Sequence, residues 1–328
     1  MYENNIMSLT KFLKLNEVKI KFREFFPKPR FSIQRELLAP PLTRHYSKVG
    51  TAFDYLLRFY VKYLYPEAIC NKWIAENSRV LLKLIILEKQ LDKDSRLPIS
   101  SKETAILDKF FINLINSIES NNAIYEYKDQ ITFIEHCYHK VDRIISDAKE
   151  NYSMFLLNGN ITNTLLESTL LLAQVDNIYR ARRISENLGI FDQMDIKDLR
   201  NLISLVNQKE LKPNNVCILN PNFGQASLMV GGADADLIID DMLIDIKTTK
   251  NLKMDREYYN QLIGYYTLYR IGGVNNTTMN IDIKKLGVYF SRHGYLHLYN
   301  IEDIIDETEF SKFIKWFKEK AIQEYGKI

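Results

Sequence analysis

Asp236, Asp245 and Lys247 lie close together in a stretch that runs from Gly231 to Thr249. Leu237-Ile238-Ile239 and Met242-Leu243-Ile244 are β-prone apolar runs on either side of an Asp240-Asp241 corner, so the stretch reads as two short strands and a tight turn. Side chains two residues apart on a strand share a face, which puts Lys247 beside Asp245. An apolar strand does not carry Asp-x-Lys inward without a reason, because each unpaired buried charge costs several kcal/mol. Carboxylate oxygens suit a hard divalent cation, and a neighbouring ammonium suits an anionic substrate such as a phosphodiester. Taken alone, the hairpin also reads as turn and edge-strand aspartates with Lys247 as a solvated partner.

Downstream, Gln261-Leu-Ile-Gly-Tyr265 places a glutamine and a tyrosine one helical turn apart. With this addition the residues resemble the PD-(D/E)XK nuclease superfamily. Ala235-Asp236 is similar to its "PD" element with Ala in place of Pro, and Asp245-Ile246-Lys247 to its "(D/E)xK" element. Gln261 with Tyr265 resembles the Gln-x-x-x-Tyr signature of the RecB-type branch, which includes nucleases of recombination helicases and of CRISPR adaptation. The resemblance covers roughly residues 215 to 300.

It implies an α/β fold with a restriction-endonuclease-like core, a mixed sheet of about four strands flanked by helices. It implies Mg²⁺ or Mn²⁺ as cofactor, with Asp236 and Asp245 as ligands and the Ile246 carbonyl as a further one. Lys247 would orient water or stabilise developing charge, and Gln261 and Tyr265 would position the backbone or Lys247. The implied activity is hydrolysis of nucleic acid, DNA rather than RNA, in repair, recombination or defence against foreign DNA. A protein partner would supply the motor or the targeting, since no Gly-x-x-x-x-Gly-Lys-Ser/Thr loop is present. Two other classes stay open, a nuclease-like module that only binds nucleic acid and a helical interaction protein whose hairpin serves packing.

The elements that must position these residues divide the chain into four parts. Residues 1–40 form an arm that interleaves basic side chains with Phe12, Phe22, Phe25, Phe26 and Phe31. Such a mixture suits phosphate contact and base stacking, or else Phe packing with the charges left wet. Residues 41–66 carry an amphipathic helix that resembles the first helix of the nuclease core, with Asp54 where RecB-type relatives have His. Asp54 would ligate the metal through oxygen, or pair with Arg58 one turn on.

Residues 67–210 are nearly all helical in pattern and read as an insertion, with apolar periodicity at Val80–Leu87, Ile106–Ile118, Ile131–Ile145 and Thr162–Leu188. Within it, Asp176 and Arg180 read as an ion pair, and His136 with His139 as weak zinc candidates. Residues 211–328 complete the core. Val216–Leu219 and Ser227–Val230 read as strands before the central hairpin, Leu286–Tyr299 as a closing hairpin about His293-Gly294, and Glu309–Tyr325 as a final helix. Lys250, Lys253 and Arg256 recur every third residue after Lys247, a ridge that would meet a phosphate backbone.

A formal charge of +3, with 46% hydrophobic and 26% charged residues, describes an ordinary globular chain rather than a strongly basic nucleic-acid coat. The local charge is more telling. Within residues 11–35, Lys11, Lys14, Lys19, Lys21, Arg23, Lys28, Arg30 and Arg35 stand against only Glu17 and Glu24. Cys70, Cys137 and Cys217 are too few and too scattered for a disulfide framework, or for the four-cysteine iron–sulfur cage of several RecB-type relatives. No long apolar run and no charged-then-apolar start is present, so a cytoplasmic setting without membrane contact is expected.

Overall fold

Short apolar runs separated by turns and helices build one mixed sheet, seen in a computed structural model that describes residues 8–94, 130–277, 279 and 281–326. The helix expected over Ile106–Ile118 lies outside the described residues. The chain divides into two compact units, one of residues 1–41, 60–71 and 201–328, the other of residues 42–59 and 72–200.

The first unit holds the sheet. Its strands are β1 (Ile69–Cys70), β2 (Cys217–Leu219), β3 (Leu237–Ile239), β4 (Met242–Lys247), β5 (Lys285–Phe290) and β6 (Tyr295–Asn300), and they lie side by side in chain order. β1–β2 and β4–β5 are parallel; the other pairs are antiparallel. Among the described residues there are thus six strands, not about four. The parallel step from β4 to β5 needs a crossover, which α9 (Arg256–Gly272) supplies. The closing hairpin turns through a 3₁₀ turn at Ser291–His293, with Gly294 in the left-handed region at φ 51°.

Two corrections come from segments too short to show a period. Residues 225–229 form a helix, α8 (Gln225–Met229), where Ser227–Val230 reads as a strand. Gly224 opens it at φ 56°, and the Ser227 hydroxyl accepts from the Phe223 N–H while donating to the Ala233 carbonyl, winding the segment locally. Conversely β1 lies in a stretch that reads as the start of a helical block, because two residues cannot display alternation.

The arm is part of this unit's core. α1 (Leu9–Phe12), α2 (Asn16–Phe25) and the residue that caps α2 bury Phe12, Phe22 and Phe26 against α11 (Glu307–Tyr325), which follows the short α10 (Ile301–Ile304). Phe12 meets Phe317 with ring centroids 5.0 Å apart, and Phe22 and Phe26 meet Phe313 at 5.0 and 4.7 Å. Aromatic burial of this kind contributes several kcal/mol, so the Phe side chains serve packing and the basic residues lie outside it.

Helices joined by loops make up the described residues of the second unit. It contains most of α3 (Tyr46–Leu64), then α4 (Ile74–Asp94), α5 (Gln130–Asn158), α6 (Asn163–Ala181) and all but the end of α7 (Gln193–Ser204). Leu82, Ile85, Val141, Ile145, Leu166 and Leu170 fill its core. No helix among the described residues is long and apolar enough to cross a membrane.

Candidate functional site

Two of the four hairpin aspartates hold the turn. Asp240 sits in the left-handed region at φ 50°, which Asp and Asn tolerate better than most residues. Its carboxylate accepts from the backbone N–H groups of Asn214, Asn215 and Val216 at 2.7–3.0 Å and from the Asn214 side chain at 3.0 Å. Partial burial works against the charge, but these donors prevail and hold the Asp240 carboxyl below its ordinary range. Asp241 pairs with Lys285 at 3.3 Å.

Asp236 and Asp245 lie at the other end of the hairpin. The β3–β4 register pairs Leu237 with Ile244, so its next step sets Asp236 opposite Asp245 on one face of the sheet. Asp236 Oδ2 accepts from the Ile246 N–H at 2.5 Å. The Asp245 side chain is 3% exposed and that of Lys247 18%, with Lys247 Nζ 2.6 Å from Asp245 Oδ2. Burial alone would push the Lys247 ammonium down; Asp245 and then Asp236 outweigh it and hold the group above the usual lysine range.

The other side of Lys247 faces α9. Lys247 Nζ donates to Gln261 Oε1 at 2.8 Å, and Gln261 Nε2 donates to the Tyr265 hydroxyl at 2.9 Å. Gln261 and Tyr265 share a face because they are one turn apart, and that face meets β4. Burial first, and then the charges of Asp245, Asp236 and Asp234, pushes the Tyr265 phenol far above its usual range, so it stays protonated. The Tyr258 ring lies 5.0 Å from Lys247 Nζ, a cation–π contact. Ser291 closes the strand end, donating to Thr248 Oγ1 at 3.0 Å.

The assembly opens on a cleft of about 520 Å³ within the first unit. Lys14, Lys19 and Arg23 from the arm line it, with Lys247, Arg256 and Tyr258; its sole acid is Glu257. Lys14, Lys19 and Arg23 lie within a segment whose phenylalanines read as packing or as stacking groups, so sequence alone did not place them beside Lys247.

Of the other expected site residues, Asp54 falls in the other unit, and Arg256 lines the cleft with its guanidinium engaged by backbone carbonyls. Asp54 belongs to the second unit, where Arg58 pairs with it at 2.5 Å, the alternative that its i,i+4 spacing allows. Arg256 donates to the Phe22 and Phe26 carbonyls at 2.5 and 2.8 Å, neutralising the C-terminal end of α2. Lys250 and Lys253 are exposed.

Comparison with family models, curated proteins and solved structures finds no match to the chain.

The donor set suits a hard cation. Asp236 and Asp245 are opposed in register and offer only oxygen, and Mg²⁺ needs no more than one or two carboxylates beside its waters and a substrate phosphate. Among the described residues no group of three or more His, Cys, Asp or Glu converges as ligands.

Proposed function

We propose that the chain is a divalent-metal-dependent nuclease that hydrolyses phosphodiester bonds at the Asp236–Asp245–Lys247 site, in keeping with the resemblance to PD-(D/E)XK nucleases of the RecB type. The observation that carries the reading is the buried Asp245–Lys247 pair, whose lysine lines a cleft with four other cationic side chains and one acid. Buried charges in such a place are expensive to retain for stability alone.

Asp236 and Asp245, with the Ile246 carbonyl, would hold Mg²⁺ or Mn²⁺. When bound, the cation neutralises phosphate charge and makes water a better nucleophile. The chain's own groups do the remaining work. Lys247 presents its ammonium where negative charge develops on the phosphate or the attacking oxygen. Gln261, tied to Tyr265, fixes the direction of that ammonium. Tyr258 shields it from bulk water on one side, which strengthens its interaction with an anion.

A module that binds nucleic acid without cutting it is favoured by one observation. Asp236 already accepts the Ile246 N–H, and Asp245 is already paired with Lys247. The two readings separate in one experiment. The purified chain is incubated with labelled single-stranded and duplex DNA and RNA, with Mg²⁺, Mn²⁺ or a chelator. Metal-dependent products support the nuclease; binding without products under every metal supports the module.

A further inference from the structure

The cleft beside Lys247 also bears on what the site takes as substrate. Its wall is made by the arm, whose phenylalanines are fixed in the core while Lys14, Lys19 and Arg23 face the opening. Lys19 and Arg23 are one turn apart on α2, so they stand in a row along the cleft. Among the described residues none of these three makes an ion pair, whereas Lys21 of the same helix pairs with Glu24 at 3.2 Å. A row of unpaired cations repels itself and is not a stability device, since even a paired surface charge contributes under about 1 kcal/mol.

We propose that this cleft binds a single strand of nucleic acid, with the phosphates running along Lys14, Lys19 and Arg23 toward Lys247. The inference rests on the nuclease reading for what happens at Lys247, but not for the binding itself. Three features select a strand. The row has the linear arrangement of a sugar-phosphate backbone, which repeats its charge at each nucleotide. A volume of about 520 Å³ lies in the range of small-ligand sites and admits a nucleotide or two, while a duplex is far too bulky to enter. The Tyr258 ring in the same lining gives a flat apolar surface for an unpaired base, which a duplex keeps stacked inside.

The test reads binding without cleavage. Fluorescence anisotropy of a short labelled deoxyoligonucleotide is measured in EDTA over a series of salt concentrations. Wild type is compared with Lys19→Ala/Arg23→Ala, which keeps helix propensity on α2, and with Lys315→Ala/Lys318→Ala, which removes equal charge from exposed positions on α11 outside the cleft lining. Lys14→Ala gives a third, independent variant on the same path.

The expected result is at least tenfold weaker binding by Lys19→Ala/Arg23→Ala. Its salt slope should be smaller by about 1.4, from roughly 0.7 per lost single-strand phosphate contact. Lys14→Ala should lower the slope by about half as much, the α11 variant should match wild type, and unlabelled duplex should compete poorly. An unchanged slope in the α2 variant overturns the proposal, as does duplex competing as well as single strand, or failure of wild type to bind. If the slopes behave as expected but no metal permits cleavage, the cleft stands and the nuclease reading falls. Cleavage with unchanged slopes has the reverse meaning.

Discussion

At the scale of single residues the site depends on one lysine kept charged in a place that disfavours charge. Asp245 and Asp236 supply the opposing field, and Gln261 supplies direction through its bonds to Lys247 and Tyr265. On the proposed nuclease reading Gln261 is a positioning residue, so Gln261→Ala should lower kcat by about 10- to 100-fold while KM and thermal stability change little, as expected when a reacting group is misplaced by a fraction of an ångström. Equal losses in kcat and stability would make Gln261 a structural residue only.

That Asp245 shares a face with Lys247, and Gln261 with Tyr265, was legible in the sequence because periods of two and of about four dictate which side chains share a face; that the two pairs meet came only with the family resemblance. Asp54 and Arg256 were legible only as charges. The partners of Arg256 are carbonyls more than 200 residues away along the chain, which no local spacing announces.

At the scale of elements, the hairpin that carries the site is anchored at its far end by Asp240. Asp240→Ala removes the acceptor of four donors and places a non-Asx side chain at a left-handed φ, so it should destabilise the chain by about 2–3 kcal/mol in urea unfolding. Loss of only a few tenths would show that water replaces these bonds.

α6 carries a second titrating group. Asp176 is buried and accepts from the Tyr55 hydroxyl at 2.6 Å, with Arg180 at 3.6 Å and with Arg58 and Asp54 nearby on α3. Burial outweighs these partners and pushes its carboxyl from 3.8 up to about 6. A raised acid stabilises the folded state fully below its unfolded value and loses that contribution as pH rises through the folded one. Between acid and neutral pH wild type should therefore lose about 3 kcal/mol that Asp176→Asn does not. Parallel pH curves for the two proteins would contradict this.

At the element scale helix existence was read well, since α3, α4, α5, α6 and α11 all show periodicity over many residues. β1 and α8 were missed because elements of two and five residues are fixed by tertiary bonds rather than by pattern.

At the scale of the whole molecule, near-neutral charge conceals a local basic cleft. The exposed Lys250 and Lys253 follow directly after the site strand, and reversing both to Glu should weaken nucleic-acid binding irrespective of sequence and flatten its salt dependence. An unchanged slope would show that the bound strand does not pass them. A change of period along the chain marks the helical block, but most of α3, which the resemblance assigns to the nuclease core, lies in the same unit as that block. Packing of the arm's phenylalanines was one of the two readings its composition allowed; their partners, Phe313 and Phe317 on α11, were not legible, because such long-range contacts leave no trace in local spacing.

The measurement that bears most directly on the central claim is the cleavage rate of Asp245→Asn at saturating Mn²⁺. The change preserves side-chain shape and removes the charge that both a metal and Lys247 require. A loss of at least a hundredfold, with single-strand binding in EDTA retained or tightened, is the predicted result. Cleavage by the purified variant at the wild-type rate would contradict the assignment of Asp236, Asp245 and Lys247 as the reacting site.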